Sequence, residues 1–298
     1  MKKFICILMI LGPVSLQGAR RGAFASLGYD AQALGMGGAF VSVAQTPGAS
    51  YWNPAGLAWF QKRAITGMFG RLGPFPVFSG YLAVLEGNQG LGGGALTWEY
   101  RGIKMYDGEV SMAENAFSYS WGNFMAPNLA VGFRAKALWV SSTFETIDGH
   151  AKGFGLDLSA LFQPFPNLRL GAMIWDLFSR LKWATGRTEA IPFIYQAGGS
   201  FSLLQDQLIV AVEARGEPED YLTEVRLGTQ ARVLNLLALR LGYMAKLGNP
   251  GTDEADVLTA GVGFLIHRGP AQYNLDYAFL NMSGVLGAMH RISFNILW

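Results

Sequence analysis

Two glycine-rich stretches, residues 35–38 and 90–94, are the first candidates for chemistry in this chain. Glycine-rich loops can cradle phosphate groups, because backbone N–H groups approach a ligand closely where there is no side chain. Neither stretch has the strand–turn–helix frame or the Lys-Ser/Thr pair that positions a nucleotide. The sequence therefore does not predict nucleotide binding.

Metal-ligating and nucleophilic residues are sparse. The histidines His150, His267 and His290 are far apart in the sequence and have no carboxylate at ligand spacing, so no metal site is predicted. No Gly-x-Ser-x-Gly element is present to expose a nucleophile. The single cysteine, Cys6, lies in the first apolar run. We therefore expect a protein that is not an enzyme, has no catalytic residues and needs no cofactor.

The composition narrows the class of protein. Apolar residues make up 51% of the 298 residues and charged residues only 15%, against roughly 25% charged in ordinary soluble domains. No stretch after residue 18 offers the ~18–20 uncharged apolar residues that a spanning helix needs. High apolar content without a long apolar run is typical of a transmembrane β-barrel. The net charge of +2 gives no indication of nucleic-acid binding.

The N-terminus predicts export. Two lysines precede an apolar run at residues 4–14, and small residues follow it, which is the pattern of a secretory signal peptide. We expect the signal peptide to span residues 1–18, with cleavage near Gly18 or Ala19. A short buried helix or strand is the alternative. Removal of this segment would leave a mature chain without cysteine.

The last ten residues alternate between apolar and polar side chains, which is the period of a β-strand. The apolar set is Ile292, Phe294, Ile296 and Trp298, and the polar set is Arg291, Ser293 and Asn295. Outer-membrane barrels commonly end in this way, because the last strand pairs with the first to close the wall. We expect barrel-assembly machinery to recognise the strand that ends in Trp298.

From residue 62 onward the chain divides into alternating segments separated by turn sequences, at the spacing of membrane strands. The clearest segment covers residues 129–139, and the weaker ones bring the total to about 14 strands. The predicted fold is all-β: a transmembrane antiparallel up-and-down β-barrel over residues 62–298. Aromatic residues near the strand ends predict an interfacial girdle. The girdle candidates are Trp98, Tyr100, Tyr119, Trp121, Trp139, Trp175, Tyr243 and Trp298.

Charged residues fall on the opposite parity from the apolar ones. A lysine or arginine on the lipid face would cost about 2–4 kcal/mol at the midplane, so the charges are assigned to the lumen. The predicted lumen cations are Arg134, Lys136, Arg169, Arg226, Arg232, Arg240 and Arg291. The acids on the same parity are Glu99, Asp157, Glu213 and Asp276. The alternative is a soluble barrel with these charges on a solvated outer face.

Residues 19–61 differ from the rest, because they are rich in glycine and alanine and too short to fold alone. Their apolar character favours a hatch, or plug, folded into the barrel. Residues 33–41 and the run Tyr51-Trp52-Asn53-Pro54-Ala55-Gly56-Leu57 resemble the N-terminal segment of the PorV/PorQ branch of the FadL-like outer-membrane barrels. The resemblance implies a 14-stranded barrel with an N-terminal hatch, located in the outer membrane of a Gram-negative-type bacterium.

Two functions follow from this resemblance. The first is a channel for small hydrophobic compounds, in which the hatch gates the lumen and the partners are outer-membrane lipid and the transported molecule. The predicted ligand and gate residues are Phe40, Tyr51, Trp52, Asn53, Pro54 and Ala55. The second is a structural or adaptor component of type IX protein secretion, whose partners would be secretion-system proteins.

A side exit is a further expectation for the channel. Glycine inside a strand often marks a bulge or bend. We therefore predict a strand kink at Gly90, Gly92, Gly93 and Gly94. The resemblance to the FadL-like barrels implies that such a kink would open a door from the lumen to the membrane. The alternative is a plain bend that serves barrel curvature.

Overall fold

The computed structural model describes residue 24 and residues 28–71, 76–105, 110–143, 149–217, 221–247, 256–282 and 287–298. The predicted signal peptide lies outside the described residues, as do residues 19–23 and 25–27 of the predicted hatch. Among the described residues, no helix is both long enough and apolar enough to cross a membrane.

The described residues form one antiparallel sheet that closes on itself. The strands are β1 (Ala64–Arg71), β2 (Val77–Glu86), β3 (Gly93–Met105), β4 (Val110–Ala126), β5 (Leu129–Ser142), β6 (His150–Phe165), β7 (Leu168–Trp183), β8 (Thr188–Ala190), β9 (Ile194–Leu203), β10 (Leu208–Glu217), β11 (Tyr221–Val233), β12 (Leu237–Lys246), β13 (Val257–Arg268), β14 (Ala271–Asn281) and β15 (Ala288–Leu297). The short β8 pairs only with β7, and β1 pairs with β15 to complete the ring. The predicted 14-stranded barrel is confirmed.

Alternate side chains along the strands face two different environments, the outer surface and the lumen. In β15, Ile292 and Phe294 are 55% and 42% exposed on the outside, whereas Arg291 and Asn295 are 2% and 3% exposed inside. An apolar outer face and a polar lumen are the arrangement of a barrel that spans a bilayer. Five predicted girdle residues are exposed on the outer face: Trp98, Tyr119, Trp139, Tyr243 and Trp298.

Trp175 corrects the predicted girdle. Its side chain is only 7% exposed and lies inside the barrel. Trp175 shares the parity of Met173, which is also buried, so the strand period itself directs both side chains inward.

The two ends of the barrel differ. We call the end that carries the C-terminal residue and the β4–β5, β6–β7 and β11–β12 turns the turn end, and the opposite end the loop end. Strands β4, β6 and β7 have 17, 16 and 16 residues, whereas β9, β10, β12 and β15 have 10 each. A membrane strand needs about 9–11 residues. Residues 176–183 of β7 extend past the start of β9, so the wall is taller on this side at the loop end.

Residues 28–60, here called the inner segment, lie inside the ring. They form α1 (Ala31–Gly35), α2 (Ala49–Trp52) and the 3-10 helix η1 (Pro54–Ala58). Every residue of these three elements is buried. Helix α1 packs against β12–β15, and η1 packs against β3–β6. The inner segment therefore bridges opposite sides of the wall.

Candidate functional site

Glycines on the inward face of the wall let the inner segment approach closely. A Cβ added at Gly122 would lie 2.1 Å from the Pro54 carbonyl oxygen, and one at Gly132 would lie 2.3 Å from the Ala55 nitrogen. On the other side of the barrel, a Cβ at Gly242 would lie 2.1 Å from the Gly37 nitrogen. Side chains at these positions would overlap backbone. Backbone-to-backbone packing thus sets the position of the inner segment.

Asn53 ties the inner segment together and fastens it to the wall. Its side-chain nitrogen donates to the carbonyl oxygens of Val41 at 2.7 Å and Ala160 at 3.1 Å, and its Oδ1 accepts from the Ala55 nitrogen at 3.1 Å. The Ala55 nitrogen also donates to Ser159 Oγ at 3.0 Å. Asn53 is fully buried. It caps η1 in the manner that its position before Pro54 favours.

Phe40 is held by a wall carboxylate. The backbone nitrogens of Phe40 and Val41 donate to Glu213 Oε2 at 3.0 and 2.8 Å. The Phe40 ring lies 6.2 Å from the Trp52 ring in an edge-on arrangement. Glu213 also faces Arg226 at 3.4 Å. The carboxylate therefore serves both the inner segment and the wall.

Asp30 joins α1 to the closing strand. Its Oδ1 accepts from the Gln32 nitrogen at 3.0 Å and from Ser293 Oγ at 3.4 Å, while Ser293 Oγ accepts from the Ala31 nitrogen at 3.1 Å. Burial, with a contribution from the negative charge of Asp276, raises the pKa of Asp30 to about 7. The protonation of this group is thus sensitive to pH near neutrality.

Arg134 lies between two aromatic rings in the middle of the lumen. The guanidinium carbon is 4.8 Å from the ring centres of Tyr51 and Trp175. Its Nε donates to Asp157 at 2.6 Å, and its terminal nitrogen donates to Glu99 at 3.2 Å. Tyr51 belongs to the inner segment and the other four residues to the wall, so a cation–π contact also fixes the inner segment.

Lys136 extends this arrangement toward β7. Its Nζ lies 2.7 Å from Asp157 and 2.5 Å from Asp176, and the Asp176 nitrogen donates to Asp157 at 2.7 Å. We call Glu99, Arg134, Lys136, Asp157 and Asp176 the charged cluster. Removing one partner from such buried groups leaves an uncompensated charge and costs about 3–5 kcal/mol.

The remaining predicted lumen cations do not join this cluster. Arg226 pairs with Glu213 and Glu224, and Arg240 pairs with Asp276 at 2.7 Å. Arg169 and Arg232 lie half-buried near the turn end, and among the described residues neither forms an ion pair. The carboxylate of Asp206, in the β9–β10 turn, interacts electrostatically with Arg169 and with Arg232.

An apolar cluster occupies the loop end of the lumen above the charged cluster. It contains the buried inward side chains Ala116, Leu138, Val140, Ala151, Leu181 and Ile191, with Phe24 packed against them. The parity of Arg134 and Lys136 continues to Leu138 and Val140, so this signal was present in the sequence. The apolar cluster was not predicted, because only charged residues were assigned to the inward face.

The β6–β7 ladder is irregular beside the charged cluster. Phe154 pairs with Arg180 and Leu158 with Ile174, so β7 carries two more residues than β6 over this interval. Asp176 and Phe178 have left-handed backbone conformations, with φ of 57° and 59°. Asp tolerates this conformation, but it is unfavourable for a bulky residue such as Phe178, where it marks local strain. The wall is held here by side chains as well as by the backbone ladder.

The glycines at residues 90–94 correct the predicted strand kink. Gly90 and Gly92 lie in the β2–β3 turn, where Asn88 Oδ1 accepts from their nitrogens at 2.8 and 3.0 Å. Gly93 and Gly94 begin β3, and a Cβ at Gly93 would lie 2.3 Å from the Leu57 carbonyl oxygen. A tight turn and close packing on η1 account for these glycines, rather than a bend inside a strand.

Within the described ranges, no group of three or more His, Cys, Asp or Glu residues is placed to hold a metal ion.

Comparison with known proteins identifies the fold. No family model and no curated protein matches the sequence. The structure of the Pseudomonas putida toluene transporter TodX is similar, with a TM-score of 0.58 at 13% identity, covering 91% of this chain and 96% of that one. The Ralstonia pickettii toluene transporter TbuX has a TM-score of 0.61 at 13% identity, covering 91% and 97%. A Pseudomonas aeruginosa FadL homologue has a TM-score of 0.62 at 10% identity, covering 92% and 98%.

These structures share one architecture with the chain over nearly its whole length. The chain is a closed transmembrane β-barrel with the fold of the FadL-like channels.

Proposed function

We propose that the protein is a FadL-like outer-membrane channel for small hydrophobic compounds. The observation that carries the proposal is the apolar cluster, which lies at the loop end of the lumen, next to the charged cluster. An apolar molecule gains free energy by leaving water for such a surface, at roughly 25 cal/mol per Å². The fold of toluene transporters and the predicted signal peptide support the same function and location.

The loop end would face the exterior. Short turns on the periplasmic side and longer connections outside are the usual arrangement of outer-membrane barrels. The β4–β5 and β6–β7 turns lie at the turn end together with Trp298. The projecting parts of β4–β7 would then present the apolar cluster to incoming ligand. The final strand would be available to the barrel-assembly machinery.

The route would leave the barrel sideways. The charged cluster and part of the inner segment lie in the lumen directly below the apolar cluster, so a straight path would bring an apolar molecule against buried ions. The irregular part of the β6–β7 ladder adjoins both clusters, and Phe178 is 71% exposed on the outer surface beside it. We propose this irregularity as the side door, in place of the glycines at residues 90–94.

The inner segment would act as the hatch. Tyr51 stacks on Arg134, Trp52 packs against Phe40, and Asn53 binds the wall, so these residues hold the lumen closed. Pro54 and Ala55 place η1 against Gly122 and Gly132. In this proposal these residues support the route and prevent leakage of ions, rather than contacting every transported molecule.

An adaptor of the PorV/PorQ kind is the second candidate. A lumen occupied by the inner segment and by buried ion pairs favours a barrel that serves as a rigid anchor for secretion-system proteins. Such a protein would co-purify with secretion components, and its loss would leave uptake of hydrophobic compounds unchanged.

A reversible lock on the side door tests the channel. Leu156 and Leu177 are ladder partners within the irregularity, and replacing both with cysteine would join β6 to β7 by a disulfide. The matched control joins Val212 to Leu227 in the regular β10–β11 ladder. Cells would be assayed for toluene uptake before and after reduction.

We expect oxidation of the Leu156→Cys/Leu177→Cys variant to reduce uptake to the level of cells without the protein, and reduction to restore it. The control pair should have no effect. Equal uptake with the door locked would exclude this door. Equal uptake with and without the protein would exclude the channel and favour the adaptor.

A further inference from the structure

An open cavity of about 540 Å³ lies at the turn end of the barrel, between the inner segment and β11–β15. It is on the side of the lumen opposite the β6–β7 irregularity and at the other end from the apolar cluster. The volume is in the range of small-molecule sites, which is about 300–1,000 Å³. The cavity is therefore separate from the proposed hydrophobic route.

One guanidinium in the cavity lining lacks a direct acid partner. Arg240 is committed to Asp276 at 2.7 Å and to Gln230 at 2.7 Å. Arg232 also lines the cavity, and among the described residues its guanidinium makes no hydrogen bond or ion pair. Asp206 and Asp276 act on Arg232 only at longer range. The lining thus presents an excess of positive charge to a bound molecule.

Two further polar groups of the lining have no hydrogen-bond partner. Gln45 Nε2 and Thr46 Oγ1 are buried atoms for which no partner is found in the part of the chain that the structure describes. Both residues belong to the inner segment and line the cavity. Buried polar atoms are nearly always paired, by protein, water or ligand. Rotation of either side chain toward the cavity would let it donate to an oxygen of a bound molecule, since an amide N–H₂ group and a hydroxyl are both donors.

Part of the cavity lining is apolar. Pro47, Phe60, Leu265 and Leu297 line it, and Phe60 and Leu297 are only 5% and 6% exposed. A ligand that satisfies the whole lining would therefore combine an oxyanion with a compact apolar body. A planar guanidinium matches a carboxylate in geometry as well as in charge.

We propose that this cavity binds a small organic acid. Its carboxylate would lie at Arg232 and accept from Gln45 and Thr46, and its ring or short alkyl body would pack on Phe60 and Leu297. The site is independent of the proposed hydrophobic channel, because it uses neither the apolar cluster nor the β6–β7 door.

Calorimetric titration of the purified full chain in detergent micelles tests the site. The probes are benzoate, benzyl alcohol, which has the same ring without the charge, and inorganic phosphate, which has the charge without the ring. We expect saturable binding of one benzoate per chain, with the other two probes weaker by roughly tenfold or more. Arg232→Gln should weaken benzoate binding by roughly tenfold or more.

Two variants separate a direct contact from a general effect. Arg268→Gln removes an exposed arginine at the same end of the barrel, outside the cavity, and should bind benzoate as the unaltered protein does. Gln45→Leu removes a donor without changing any charge, and should weaken binding even if the Arg232 variant does not fold. Migration of unheated samples on a denaturing gel would verify that each barrel is intact.

The proposal is overturned if benzoate shows no saturable binding, or if benzyl alcohol or phosphate binds equally well. It is also overturned if Arg232→Gln and Gln45→Leu, in folded barrels, leave benzoate affinity unchanged. Toluene uptake measured in the same variants would remain normal, so failure of this site and failure of the channel are distinguishable.

Discussion

Replacement of Gly132 by alanine would test whether the inner segment is held by direct contact with the wall. The new Cβ would lie 2.3 Å from the Ala55 nitrogen and 2.6 Å from the Pro54 carbonyl carbon. Ordinary van der Waals contact begins near 3.4 Å, so η1 must move away by about 1 Å. Such a shift would break the bonds of Ala55 to Ser159 and of Asn53 to Ala160.

The expected cost follows from these contacts. Overpacking costs about 1–3 kcal/mol, and each lost hydrogen bond about 0.5–1.5 kcal/mol, which together give about 2–6 kcal/mol. Even the lower limit would raise the population of the displaced inner segment about 30-fold. The measurement uses a variant with one cysteine in place of Ser50, which is fully buried in α2. The rate at which a maleimide labels Ser50→Cys reports how often the inner segment leaves its position.

The matched control is Gly80→Ala on β2. An added Cβ there would meet nothing closer than 3.9 Å, so it changes backbone freedom without touching the inner segment. We expect Gly132→Ala to accelerate labelling about 30-fold or more and Gly80→Ala to leave it unchanged. Equal labelling rates in the two variants would refute direct packing as the cause of the inner segment's position.

Two other predictions concern the ionisable groups of the lumen. Arg134→Met should reduce the free energy of unfolding in detergent by about 3–5 kcal/mol, and Asp157→Asn in the same chain should recover part of the loss. Urea titrations of the single and double variants measure this coupling. Strictly additive effects of the two substitutions would contradict it. Asp30 faces Asp276 and Arg240, and its pKa is raised. Between about pH 4 and pH 7, Asp30 therefore keeps its proton in the folded protein but loses it in the unfolded chain. The stability that this group contributes is lost as the pH rises to about 7. Asp30→Asn keeps the cap of α1 and should flatten this pH dependence of unfolding; an unchanged profile would show that another group is responsible.

The strand pattern predicted the barrel because each face of a spanning strand meets only one environment. A shift of the predicted alternation by one residue would have placed Arg291 and Asn295 in lipid, whereas the structure has them in the lumen. Cross-strand register is different, because it depends on partners far away in sequence. That Arg134 pairs directly with Asp157 follows from the β5–β6 register, which no local pattern reveals.

The candidate site was predictable only in part. The motif around Asn53 and Pro54 indicated a folded segment, but its partners Ala160 and Ser159 are non-local. The inward position of Trp175 could have been taken from the parity of Met173. The irregularity in β7 could not be predicted, because a bulge changes the side-chain period without a distinctive sequence signal. Glycines on the inward parity were a usable signal. Gly132 precedes Arg134 on the same face, and its contact with η1 explains why no side chain is present there.

The two possible exits of the proposed channel differ in the contacts that an apolar molecule would have to break. A passage along the barrel axis would separate Arg134 from Tyr51, a desolvated cation–π contact of about 2 kcal/mol, and from Asp157, a buried ion pair whose disruption costs about 3–5 kcal/mol. A passage between β6 and β7 would separate fewer paired residues, because register shifts already interrupt this ladder between Phe154 and Leu158, although each backbone group left unpaired in lipid costs several kcal/mol. The side chain contacts of Asp176 with Lys136 and Ser179 would then set how far the gap opens. In the proposed channel, the charged cluster would close the axial path and border the lateral one.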